Sequence, residues 1–351
     1  MKPFYWQGTR NFGDYLNSWM WPRLLPGCID EDQSVRLVGI GSLLKSSLNL
    51  VQGKKVIVGT GSGYGSIPAA DQFKDWDFRF VRGPLTAECF GLPPEKSIID
   101  GAWLLGLLPE FEGFRSTQAG TTFIPHWTSA ETGAWAKPCA MAGFSYLDPQ
   151  GDLDGILGKI ASSELVVTES LHGAIIADLF RVPWIPVRIS PKFLPFKWLD
   201  WFQSIELEGK MRSLPLSDLF DYLYNGGLPG KVDYSTHPLP IPPCSLQEDR
   251  SHYTKPGRFY GFYNRSKRRF RSVRKDVLEA CMSFRGYYPL SSWNVGHQAR
   301  LAESLNLLAG SQPYLSEDRL WHRRMDQLYV VTGQLKKDFM GGGVPLSRIN
   351  Q

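Results

Sequence analysis

Glu164-Leu165-Val166-Val167-Thr168-Glu169-Ser170-Leu171-His172-Gly173 is the stretch that decides the fold. Its apolar run is short, rich in β-branched residues and cut off by polar ones, as in a buried strand. Ala174 to Phe180 then reads as a helix, closed by Arg181-Val182-Pro183, and Trp184-Ile185-Pro186-Val187 reads as the next strand. Strand, polar turn, helix, strand is the unit of a parallel α/β sheet. The first turn of such a helix carries unpaired N–H groups and a partial positive charge, which stabilise an anion. His172 sits in or beside that turn. An imidazole there can exchange a proton near neutral pH or donate to phosphate. Plain capping or packing at a strand end is equally open.

The same punctuation recurs upstream. Thr121 to Pro125 is a strand leading to His126, and Gly155 to Ser163 looks helical. Earlier still come Phe4-Tyr5-Trp6, the loop Asn11-Phe12-Gly13-Asp14, a helix ending at Leu25, and strands at Val35–Gly41, Lys55–Gly63, Phe78–Val81 and Ser97–Gly101. Sheets of this kind bind ligands beyond the carboxyl ends of their strands, where these turns lie. Arg82-Gly83-Pro84 repeats the layout of the decisive stretch, with Pro84 suited to a first helical turn. A guanidinium at Arg82 can grip a carboxylate or phosphate with two parallel hydrogen bonds. An ordinary ion pair is the competing use. Gly59-Thr60-Gly61-Ser62-Gly63 lacks the full dinucleotide spacing, and Pro68 follows soon after, so NAD binding is set aside. Lys192, Lys197, Asp200 and Trp201 fall in a charged and aromatic segment that packing explains about as well as ligand contact.

Composition bounds the rest. A chain of 351 residues, 42% hydrophobic, suits two domains plus an extension. Five scattered cysteines without a Cys-x-x-Cys pair point to reduced thiols, not to a disulfide framework or a metal site. No run approaches the length of a membrane span, and Met1 to Gln7 does not read as a signal peptide, so a cytoplasmic location is expected. Residues 251–351 hold 17 Lys+Arg against 7 Asp+Glu, so the positive charge belongs to the C-terminal part. Within it, Arg265, Lys267, Arg268, Arg269, Arg271, Arg274 and Lys275 include no acid. A solvated helix face and a patch for an anionic membrane surface compete to explain that run. Nucleic acid is set aside, because no recognition motif accompanies the charge. Boundaries are expected at 1–115 and 116–225 for two α/β units, 226–257 for a Pro/Gly-rich linker, and 258–351 for a basic, mainly helical extension.

Asn11-x-Gly13-Asp14, Gly39-Ile40-Gly41-Ser42, Gly59-Thr60-Gly61, Arg82-Gly83-Pro84, Asp100-Gly101, Pro125-His126 and Ser170-Leu171-His172-Gly173 occur in one order along residues 4–202. That ordered set resembles the polysaccharide pyruvyl transferase family, and most of all its ketal pyruvate transferases of exopolysaccharide biosynthesis. The resemblance implies a GT-B-like fold, two Rossmann-like domains facing a cleft. It implies phosphoenolpyruvate as donor, a polysaccharide or lipid-linked oligosaccharide as acceptor, and no cofactor or metal. It also implies donor binding by Arg82 and His172, with Ser170, Leu171, Gly173 and Lys197 beside them. Catalytic work would fall to His172, His126 and Asp14, and Asn11, Gly13, Gly61 and Asp100 would line acceptor or loop positions. Several branches carry Arg where Ser170 stands, and Lys192, Lys197 or Arg188 could replace that cation. A nucleotide-sugar glycosyltransferase on the same scaffold and a non-catalytic component of polysaccharide export remain alternatives.

Overall fold

The computed structural model describes residues 1–111, 119–190, 193–225, 229–243 and 288–340. Its first half holds four parallel strands in the order β1 (Lys2–Phe4), β2 (Val35–Val38), β3 (Lys54–Val58), β4 (Asp77–Phe80). Helix α1 (Phe12–Leu24) connects β1 to β2, and α2 (Pro84–Cys89) follows β4 with Pro84 in its first turn. The strand expected at Ser97–Gly101 is reduced to one bridge between Val81 and Ser97. Asp100 ends it, because its side chain accepts the Ala102 N–H and caps a 3₁₀ helix over Gly101–Leu107.

The second half is a six-stranded sheet. Strand β5 (Thr121–Ile124) leads through α3 (Trp127–Thr132) and α4 (Ala136–Met141) to β6 (Ser145–Tyr146). Helix α5 (Leu153–Ala161) carries the chain back past β5 to β7 (Leu165–Thr168). Then come α6 (Leu171–Leu179), β8 (Trp184–Arg188), α7 (Pro195–Ser204), β9 (Lys210–Ser213), α8 (Leu219–Tyr224) and β10 (Pro238–Pro240). The order is β10-β9-β8-β7-β5-β6, parallel except that β10 runs antiparallel to β9. The winding reverses between β5 and β7, so their carboxyl ends splay into a crevice, the usual ligand position in such sheets.

The decisive stretch forms the centre of this sheet. Val166, Val167 and Thr168 are buried, as a central parallel strand requires. Thr168 Oγ1 donates to the Ile124 carbonyl at 3.0 Å and accepts the Ser170 N–H at 2.9 Å, which turns the chain sharply. Ser170 Oγ then accepts the Gly173 N–H at 3.4 Å and caps α6. Helix α6 is buried on almost every side, so it is a core element and not a surface helix.

Helices α9 (Tyr288–Ala309) and α10 (Asp318–Met340) are packed on this body. Helix α9 lies on α4, and α10 returns to the first half and packs on the 3₁₀ helix Gly101–Leu107. Arg79 pairs with Asp338 at 2.6 Å, and Met325 abuts Gly106. The largest core holds Leu320, Met325, Leu328 and Leu335 of α10 together with Val56 of the first sheet and Val166 of the second. The basic run 265–275 and Lys192 lie outside the described residues. No helix among the described residues is long and apolar enough to cross a membrane.

Candidate functional site

Segments that follow strands of the first sheet meet segments that follow strands of the second, and the contacts across this seam are specific. Phe12 N–H donates to the Pro149 carbonyl at 2.9 Å, which seats the first turn of α1 against the second half. Gly13 then meets the His172 ring so closely that a Cβ there would lie 2.1 Å from Nδ1. Only glycine leaves room for the imidazole. Asp100 reaches from the other side, its Oδ1 3.9 Å from His172 Nε2. Neither His172 Nε2 nor Asp100 Oδ2, both buried, has a hydrogen-bond partner within the described residues. Buried polar atoms are rarely left so, and two of them side by side mark a place where a proton or a ligand is received.

Arg82 does not project into open space. Its side chain is 1% exposed. Nε donates to Asp200 Oδ2 at 2.9 Å, one terminal nitrogen to Ser42 Oγ at 3.1 Å and the other to the Ser62 carbonyl at 2.6 Å. Asp200, on α7, also accepts the Thr86 N–H at 3.0 Å and the Thr86 hydroxyl at 2.6 Å. Gly61 makes the space, since a Cβ there would stand 2.3 Å from the guanidinium carbon. Arg82 therefore bolts the two halves together and contributes charge from behind the site.

Lys197 is the cation at the front. It is half-buried, as are Asp14, His126 and His172, and its charge bears on all three. Nζ donates to the Tyr64 hydroxyl at 2.9 Å and lies 4.9 Å from that ring's centre. Asn11 Nδ2 donates to Asp14 Oδ2 at 3.0 Å. The structure thus brings Asp14, Asp100, His126, His172, Lys197 and, behind them, Arg82 to one seam. Ser170 and Gly173 spend their polar groups on the helix cap, and Leu171 is buried in the core.

Glu169, which the motifs did not single out, is what organises the crevice. It is 5% exposed. One carboxylate oxygen accepts the N–H groups of Ile189 (3.1 Å) and Ser190 (2.6 Å), and the other accepts that of His126 at 3.0 Å. One side chain thus pins the carboxyl ends of β5, β7 and β8. His126 is fixed at its other end too, because Nδ1 takes the Thr128 N–H at 3.4 Å. The tautomer that accepts there carries its proton on Nε2 and presents it as a donor.

Burial dominates the charge states. It pushes the Asp14 and Asp100 carboxyls up to about 6. Burial first, then Lys197, and for His172 also Arg82, holds both imidazoles down at about 3. At neutral pH the His172–Asp100 contact is therefore a neutral ring beside a carboxylate, not an ion pair. The unfolded chain titrates these histidines near 6.5, so between about 3 and 6.5 it binds more protons than the fold does. Their share of stability is present above that window and lost as pH falls through it. Asp14 and Asp100 act with the opposite sign, their share being lost as pH rises through about 6. A His172→Gln variant should accordingly lose less of its urea midpoint than the wild type between pH 7 and pH 5. Equal losses would show that His172 is not held neutral.

The pattern of the family described as polysaccharide pyruvyl transferase matches residues 139–191, from α4 to just past β8. Over 251 residues the chain is 42% identical to the succinoglycan biosynthesis protein ExoV of Rhizobium meliloti (strain 1021), a match that spans 71% of this chain and 79% of that protein. Among the described residues no group of three or more His, Cys, Asp and Glu is placed to hold a metal ion. The family pattern covers the strand, turn and helix that carry Glu169 and His172, and the likeness to ExoV extends well beyond it: the chain belongs to the polysaccharide pyruvyl transferase family and is an enzyme of that kind.

Proposed function

We propose that this enzyme transfers the pyruvyl group of phosphoenolpyruvate to two hydroxyls of a sugar in a bacterial exopolysaccharide or its lipid-linked repeat unit. The role of ExoV in succinoglycan biosynthesis supports an exopolysaccharide acceptor. The observation that carries the donor is the seam itself, where Lys197 faces two neutral histidines and two carboxyls of raised pKa. Lys197 at the seam and Arg82 behind it supply positive charge, and the His126 Nε2–H supplies a donor, a set that suits a small anionic molecule. The two sheets that meet at this seam support two Rossmann-like domains, 1–115 and 116–225, arranged as in GT-B proteins.

The chemistry requires a proton on the methylene carbon, two C–O bonds to the neighbouring carbon, and loss of phosphate by C–O cleavage. Lys197 and His126 Nε2–H hold the donor's anionic groups. The anion offsets the cationic influence of Lys197 and Arg82 on His172 and so raises its pKa. His172 takes up a proton as the donor arrives and delivers it to the methylene carbon. Asp14, and Asp100 behind it, accept the proton of the attacking hydroxyl. The second hydroxyl closes the ketal as phosphate leaves with the electrons of its C–O bond, and its proton passes to the departing phosphate.

Phosphoenolpyruvate should raise the thermal midpoint of the protein, and UDP-glucose should not. Phosphate release from phosphoenolpyruvate should require a depyruvylated saccharide. Lys197→Met removes one charge-assisted contact of about 1.5–3 kcal/mol and should raise the KM for phosphoenolpyruvate about 10–100-fold. Stabilisation by UDP-glucose alone would replace this reading with a nucleotide-sugar transferase.

A further inference from the structure

A second concavity lies at the carboxyl ends of β8 and β9, beside the seam and not within it. It is an open depression of about 340 Å³, inside the range of about 300–1,000 Å³ typical of small-molecule sites. Arg188, Ser213, Leu216, Tyr222 and Asn225 line it. Ser190, Leu216 and Asn225 also line a smaller recess that runs on to Thr128. The two make one groove, and its inner end stops next to His126, since the Thr128 hydroxyl lies 2.7 Å from His126 Nδ1.

The wall of this groove is rigid. Tyr222 is held edge-on by Trp293 at 6.0 Å and 80°, and by His297 at 5.8 Å and 71°. His297 stacks on Trp293 at 4.7 Å, and its two ring nitrogens meet the Tyr234 hydroxyl at 2.6 Å and the Leu216 carbonyl at 2.7 Å. Helix α9 thus buttresses the Leu216 segment from behind. The groove's floor at Ser190 is tied to Glu169, the same carboxylate that pins His126.

Its lining mixes apolar residues, Ile189, Leu214 and Pro215, with polar ones and holds few charges, Arg188 in the larger part and Glu131 in the smaller. Ser213 and Asn225 are exposed at its mouth. Arg188 is exposed too, with its guanidinium 5.4 Å from the Phe193 ring and in no ion pair among the described residues. A fork of N–H donors suits two neighbouring hydroxyl oxygens, and an aromatic wall suits the C–H face of a pyranose. A slot with two tyrosine rings, an amide, several hydroxyls, one guanidinium and one carboxylate matches a hydroxyl-rich ligand without strong net charge. We propose that this groove is the acceptor subsite, taking hexose units of the saccharide so that the reacting sugar emerges beside His126. The assignment rests on the transferase reading above for its direction, and on the groove alone for its ligand.

The test separates the two. Binding of the depyruvylated repeat-unit oligosaccharide of succinoglycan is measured by calorimetry, apart from any turnover. Ser213→Trp, which fills the groove from an exposed strand end, and Arg188→Gln should each weaken it at least 10-fold. The same variants should keep the wild-type thermal midpoint and change the phosphoenolpyruvate affinity less than twofold. In the transfer assay their acceptor KM should rise about 10-fold with donor KM unchanged. Wild-type protein that does not bind the oligosaccharide, or variants that bind it like wild type, would overturn the assignment. Failure of phosphoenolpyruvate to bind, with saccharide binding still lost in Ser213→Trp, would sink the donor reading and leave the groove standing.

Discussion

A His172→Ala variant should transfer pyruvate about 10²–10⁴-fold more slowly than wild type at saturating donor and acceptor, the usual loss for a positioned acid or base. The effect should fall on kcat. Lys197 and His126 remain to hold the donor, so its KM should move far less. The fold should survive, because His172 Nε2 gives up no hydrogen bond when it is removed. Its side chain is 12% exposed, so the gap opens to the cleft and water fills it. A second signature distinguishes proton delivery from mere shape. Wild-type protein should take up a proton on binding phosphoenolpyruvate, visible as a dependence of the binding heat on the ionisation heat of the buffer. That part should shrink in His172→Ala. A kcat within threefold of wild type would remove His172 from the reaction.

Asp200→Ala should cost about 3–5 kcal/mol of stability, the loss expected when one partner of a buried ion pair is deleted. Its carboxylate receives the Arg82 guanidinium and both the amide and hydroxyl of Thr86, and it is fully buried. Without it a charge stays desolvated at the seam. Replacing both partners, Arg82→Met with Asp200→Leu, should restore much of the loss, since an apolar pair of similar volume avoids the desolvation cost. Urea denaturation measures both. A loss under 1 kcal/mol in Asp200→Ala would mean that the Arg82 network does not hold the halves together. Activity of the double variant should still drop, because Asp100 loses the positive charge that favours its carboxylate.

What could be read from the chain was mostly local. The run Leu165 to Gly173 announced strand, cap and helix because each signal sits within three residues of the next. Arg82 was legible as a cation at a strand end. Its partner was not, since Asp200 is 118 positions away on helix α7 of the other half. Glu169 lies inside the decisive stretch yet carries no local signal of its role. Its meaning comes from three backbone amides that meet only because β7 sits between β5 and β8. The apolar pair Ile98-Ile99 favours a strand over Ser97 to Gly101, but the Asp100 cap, an equally local signal, starts a 3₁₀ helix there instead. The groove at Arg188 and Tyr222 had no linear signature at all, because β8, β9 and α8 each supply a part of it.

Helix α10 has a consequence for how the molecule is made. The apolar face it covers on Gly101–Leu107 is among the earlier parts to leave the ribosome, and residues 318–340 are among the later. The first sheet therefore emerges with a hydrophobic strip uncovered and stays so while the whole second sheet is synthesised. Contacts between such distant parts of the chain form slowly. During that interval the nascent protein is vulnerable to aggregation, and its burden on chaperones is set by translation time and not by final stability.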